Sequence, residues 1–177
     1  MSRIDTVETE VFNFDELSEE GKEKALADLY DTNTDQDWWE NTYEDAARVG
    51  IKITGFDLDR GAYCEGDIYD HEATAEAITE NHGTKCETYL TAVQYQADRS
   101  KLVIKYSDGY NIDIVAEDNE FGFDDDCNEL DEEFKKSLLE DYRIILQHEY
   151  EYLTSEEAII ETILANAYEF TANGKLY

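Results

Sequence analysis

The chain contains no proline, one methionine and three cysteines in 177 residues, and only 14 Lys and Arg stand against 45 Asp and Glu. With proline absent, helices joined by turns of Gly, Asn and Asp are expected. No segment approaches the roughly 18 uninterrupted apolar residues of a membrane helix. Met1 to Glu10 lacks the cationic and apolar pattern of a secretory leader, so the expected location is the cytoplasm. Cys64, Cys86 and Cys127 are odd in number and widely spaced, which fits reduced thiols better than a disulfide framework. The scarcity of cations excludes nucleic acid as a direct ligand, because phosphates and carboxylates repel.

What is present is a formal net charge of −31 together with 13 Tyr, 7 Phe and 2 Trp. Disordered acidic chains are depleted in aromatics, whereas 41% of this one is apolar. The length suffices for a real core. Self-repulsion at this level opposes compactness, so a folded chain that keeps it uses the field it creates. That field selects a basic partner, most usefully a protein groove built to hold nucleic acid.

The pattern predicts a single α+β domain over residues 1–177, mainly helical with small antiparallel β-hairpins. Ser18 caps a helix whose first turn holds Glu19 and Glu20 and whose apolar side is Ala25, Leu26, Leu29 and Tyr30. Thr34-Asp35-Gln36-Asp37 opens a second helix, lined by Trp38, Trp39, Tyr43, Ala46 and Ala47 and stopped by Gly50. From Ile51 the apolar period becomes two, predicting a hairpin through Gly61 to Ile68. A third helix spans Asp70 to Asn81, and Thr84 to Glu87 has capping-box spacing for a fourth, ending at Asp98. Lys101 to Tyr106 and Tyr110 to Val115, around Ser107-Asp108-Gly109, predict a second hairpin. Glu117 to Glu133 holds ten acids in seventeen residues with no Lys or Arg, read as an acidic loop pinned by Phe121-Gly122-Phe123. A long helix follows from about Leu130 to Leu153, with Phe134, Leu138, Tyr142, Ile145 and Leu146 facing inward. Thr154 to Glu157 restarts a helix through about Asn166, and Tyr168-Glu169-Phe170 forms a last strand before the turn Asn173-Gly174.

The runs Phe12-Asn13-Phe14-Asp15-Glu16-Leu17-Ser18-Glu19-Glu20-Gly21-Lys22-Glu23-Lys24-Ala25, Leu58-Asp59-Arg60-Gly61-Ala62-Tyr63-Cys64-Glu65-Gly66 and Glu149-Tyr150-Glu151-Tyr152-Leu153-Thr154-Ser155-Glu156-Glu157-Ala158 resemble small acidic proteins encoded by bacteriophages and prophages. The resemblance implies a bacterial host cytoplasm and a role in blocking host DNA-handling or defence systems of the CRISPR or restriction type. Some proteins of that kind mimic DNA. It brings no catalytic residues.

B-form DNA carries a phosphate about every 3.4 Å of axis on each strand, and carboxylates four residues apart on a helix start from Cβ atoms about 5–6 Å apart. Rows of this kind can imitate a phosphate track. Asp37, Glu40 and Glu44 form one row, Glu72, Glu76 and Glu80 a second, and Asp124, Asp125, Asp126, Glu129, Asp131, Glu132 and Glu133 a dense patch. A solvated helix face is the ordinary role of any single row, and halophilic adaptation also yields acidic surfaces. Lysines usually intersperse with acids on a soluble surface, and here they are sparse.

Metal and catalytic chemistry find little support. Asp124, Asp126 and Asn128 copy three EF-hand ligand positions, but Glu129 stands where the turn needs glycine and Lys135 where a bidentate Glu belongs. Cys64, His71, His82 and Cys86 hold zinc-binding atoms without a compact second pair. No nucleophile motif or glycine-rich phosphate loop occurs, and Arg60 in the hairpin turn reads as an ion-pair partner. No enzyme and no cofactor is expected. The expected function is competitive inhibition of a basic nucleic-acid-binding host protein. The alternatives are an antitoxin-like protein that covers a basic partner, or a phage accessory protein with a weak divalent-cation site. Exposure of Trp38 or Trp39 would mark a homodimer contact.

Overall fold

Short polar side chains, Ser18, Asp70 and Ser155, start three of the helices described. The computed structural model describes residues 9–107 and 120–177. Strand β1 (Phe12–Asn13) runs into a 3₁₀ turn (Phe14–Glu16), and Ser18 then accepts from the Gly21 N–H at 3.2 Å to open α1 (Glu19–Asp28). Helix α2 (Glu40–Arg48) stops at Gly50, whose φ of +90° is the left-handed geometry glycine adopts without strain. Strands β2 (Ile51–Asp57) and β3 (Tyr63–Ile68) pair antiparallel from Ile51 opposite Ile68 to Asp57 opposite Tyr63, with a register shift between Ile53 and Gly55. Asp70 caps α3 (His71–Asn81) through the Ala73 N–H at 3.0 Å. After α4 (Glu87–Tyr106) and α5 (Glu120–Leu153), Ser155 caps α6 (Glu156–Ala165), and β4 (Glu169–Phe170) pairs with β1. Among the described residues the fold is α+β, mainly helical, with two small antiparallel sheets of two strands.

The main departures from expectation have tertiary reasons, and the fourth helix is capped at Cys86 without a side-chain hydrogen bond where Thr84 was expected. The second helix starts at Glu40 instead of Thr34, and Trp39 takes the cap position without a side-chain hydrogen bond. Trp38 meets Tyr150 of α5 at 5.7 Å and Trp39 meets Phe56 of β2 at 5.7 Å, so aromatic contacts hold this stretch in a non-helical turn. Both indoles are half-buried.

The expected strand Lys101 to Tyr106 is instead the last part of α4, which continues well beyond Asp98. The β-prone Leu102-Val103-Ile104 run yields to a helical stripe. Tyr95 stacks on Phe134 with ring centroids 4.1 Å apart, Arg99 lies over Phe123, and Tyr106 packs edge-on to Phe123 at 5.7 Å. Tertiary packing of this kind overrides propensity. Its expected partner strand, Tyr110 to Val115, lies outside the described residues.

The acidic loop is a helix over its described part, since α5 begins at Glu120, ten residues before the expected start. Cys127, Phe134, Leu138 and Tyr142 repeat at helical spacing and are buried, which carries the helix through the acids between them. Ile145, expected to face inward, is 39% exposed.

The described residues group into two compact units. One comprises residues up to Trp38 with His148–Tyr177, and its core is Phe14, Leu17, Ala25, Ile159, Ile163 and Phe170. The other comprises Trp39–Gln147, and its core joins Ile51, Ile53 and Ile68 of the sheet to Ile78 of α3 and Phe134, Leu138 and Tyr142 of α5.

Candidate acidic interface

Helix α5 places seven acids between Asp124 and Glu133, and its register sorts them. Asp131 falls four residues after buried Cys127 and three before buried Phe134, so it turns inward. Its carboxylate accepts from the Tyr95 hydroxyl at 2.7 Å and lies 3.6 Å from His71 Nδ1. Burial and then this hydrogen bond push the Tyr95 phenol up. Asp126 accepts from Lys105 and Tyr106, both at 2.7 Å, and the Lys105 bond comes first among the causes that hold its carboxyl below the usual range. These two acids serve the α4–α5 contact.

The other five, Asp124, Asp125, Glu129, Glu132 and Glu133, are exposed and make no ion pair among the described residues. At about 1.5 Å of rise per residue they cover about 14 Å, or one carboxylate per roughly 3 Å. That is close to the axial charge spacing of one DNA strand, about 3.4 Å.

Helix α3 displays Glu72, Glu76 and Glu80 on its exposed side, four residues apart, while Thr74, Ala75 and Ile78 are buried. Glu72 is paired with Arg99 at 2.7 Å, which leaves Glu76 and Glu80 without an ion pair among the described residues. The row expected on the second helix is shorter than anticipated. Glu40 and Glu44 are exposed on α2, but Asp37 precedes the helix and belongs to the other unit.

Between α4 and α5 runs a groove of about 310 Å³ with Leu90, Tyr95, Leu130 and Phe134 in its floor and Asp98 and Glu133 at its edge. An adjoining hollow of about 400 Å³ shares Asp98, Leu130 and Glu133 and adds Leu102 and Glu129. Asp98 accepts from Lys101 and Gln94, each at 2.6 Å, and the Lys101 bond leads the causes that lower its pKa. Of these groove residues the sequence marked Glu129 and Glu133 as acidic candidates and Phe134 as an inward-facing side chain, and it gave the others no role in a site. The available signal was the i, i+4 recurrence of Leu90, Gln94 and Asp98.

A partly buried polar network lies in the same unit. His82 Nδ1 is 2.8 Å from Thr88 Oγ1 and its Nε2 is 3.5 Å from Asp45 Oδ2, which also accepts from the Tyr142 hydroxyl at 3.1 Å. Thr88 is 2% exposed, so no substrate reaches its hydroxyl. The zinc candidates are dispersed over β3, both ends of α3 and the start of α4. Among the described residues no group of three or more His, Cys, Asp or Glu could hold a metal ion. No described helix is long and apolar enough to cross a membrane.

Fold and surface together define an acidic α+β protein with carboxylate rows beside a helix–helix groove. No protein-family model, no curated protein and no solved structure matches this chain.

Proposed function

We propose that this protein is an inhibitor that mimics nucleic acid, docking its acidic helix faces in the basic groove of a nucleic-acid-binding host protein and so denying that groove to DNA or RNA. The observation that supports this most is the exposed acids of α5, five carboxylates that average one per roughly 3 Å of helix axis, close to the charge density along one strand. A helix holds such charges at fixed positions before docking, and ordering a loop would cost affinity. The resemblance to phage-encoded acidic proteins supports a target in host defence or DNA processing. No catalytic step is part of the proposal.

The test is capture of bacterial lysate on the immobilised protein at low salt, followed by competition with double-stranded DNA. A nucleic-acid-binding protein displaced by DNA and by salt is the expected result. The variant that reverses Asp124, Asp125, Glu129, Glu132 and Glu133 to Lys should capture none of it while melting cooperatively no lower than the parent does. Asp126 and Asp131 are left intact because they anchor α4 to α5. Undiminished capture by that variant would exclude the α5 row as the interface.

The apolar floor of the α4–α5 groove favours a second reading, an antitoxin-like protein that covers a basic partner without imitating nucleic acid. In that case DNA would not displace the captured partner.

A further inference from the structure

The α4–α5 groove is more than a gap beneath the acidic surface. Leu90 on its α4 side is 49% exposed, so apolar carbon faces water in a chain of net charge −31. A phosphate track has no use for an apolar floor. The groove and its adjoining hollow share Asp98, Leu130 and Glu133, and so form one trough along the two helices. Its edges carry Asp98, Glu129 and Glu133, and Lys101 is engaged by Asp98 at 2.6 Å. Charge complementarity excludes an acidic occupant, and a neutral one would leave the Glu129 and Glu133 carboxylates without partners.

We propose that this trough seats a cationic amphipathic helix of the partner, with aliphatic side chains in the floor over Leu90 and Leu130 and flanking Lys or Arg side chains against Asp98, Glu129 and Glu133. Amphipathic helices dock in helix-lined grooves through apolar anchors at i and i+4, and Lys and Arg place their apolar stems along such surfaces while the charged heads meet carboxylates. The inference rests on the proposed function only in taking the partner to be basic. It adds an apolar component that salt does not screen.

The probe is a fluorescein-labelled helical peptide with leucines at i, i+4 and i+7 and lysines elsewhere, beside the same peptide with serine for leucine, followed by fluorescence anisotropy. At about 1 M NaCl, where the screening length is about 3 Å, the leucine peptide should bind at least tenfold tighter than the serine peptide. Leu90→Ser should remove that preference. The double variant Glu129→Gln, Glu133→Gln should weaken both peptides about tenfold at low salt. Tyr69→Ser, which removes a side chain 79% exposed elsewhere, should change nothing. Equal binding of the two peptides, or an unaltered preference in Leu90→Ser, overturns the proposal. Melting curves of all variants should superimpose, since each replaced side chain is exposed.

The capture experiment separates this failure from that of mimicry. If DNA displaces the captured partner and Leu90→Ser captures as the parent does, mimicry stands and the groove falls. If Leu90→Ser loses the partner and DNA never displaces it, the groove stands and mimicry falls.

Discussion

Asp131 and Asp125 are the same amino acid on the same helix, and only their angular positions differ. Asp131 lies on the stripe of Cys127 and Phe134 and is held by Tyr95, whereas Asp125 faces solvent. Burial also acts on Cys64 and Asp141. Burial, helped by Glu65 and then Glu140, pushes the Cys64 thiol up to about 11. At pH 8 about one Cys64 in a thousand is a thiolate, the reactive form. Iodoacetamide should therefore label it slowly, at a rate still rising with pH beyond 9, as peptide mass spectrometry would register. Burial also raises the Asp141 carboxyl, against the lowering effect of its 2.7 Å hydrogen bond from Thr91. A carboxyl whose folded pKa lies above its unfolded one favours the fold most at low pH, and that contribution is lost as pH rises through the folded pKa. Asp141→Asn keeps an acceptor for Thr91 and should melt higher than the parent at pH 7. The advantage should shrink toward zero as pH falls through the carboxylate range.

The helices differ in how openly the sequence announces them. Helix α3 has a side-chain cap, a clean acidic face and buried Ala75 and Ile78, so local signals and tertiary packing agree. Asp70→Ala should cost about 1 kcal/mol in urea unfolding, the usual worth of a cap. In α4 local signals mislead, because Leu102-Val103-Ile104 has β propensity and the deciding contacts come from Phe123 and Asp126 more than sixteen residues away. The terminal turn is the reverse case. Asn173-Gly174 reads plainly as a turn, and Gly174 has a φ of +80° with its missing Cβ aimed at the Gly21 carbonyl oxygen. Gly174→Ala should lose about 1–3 kcal/mol through left-handed strain and overpacking, measured as a lower urea midpoint.

For the whole molecule, charge sets the long-range field while apolar spacing sets the fold. A surplus of 31 negative charges repels itself, and the ion pairs described are mostly exposed and individually weak. Raising NaCl from about 0.01 M to about 1 M shortens the screening length from about 30 Å to about 3 Å. The melting midpoint at pH 7 should rise across that range. A flat or falling midpoint would mean that the attractive pairs outweigh the repulsion. The α+β class, the Ile51 to Ile68 hairpin, the Ser18 cap and the acidic surface were legible in the sequence alone, because each depends on neighbours within one turn or one hairpin. Tertiary structure alone decided that the acidic segment is helical over its described part, that Asp126 and Asp131 turn to internal partners, and that Leu90 and Leu130 floor a groove. Each of these depends on side chains of α4 meeting those of α5, more than 20 residues apart in sequence for the Tyr95–Asp131 and Lys105–Asp126 bonds, and hydrophobic period along a single segment carries no record of what will pack against it.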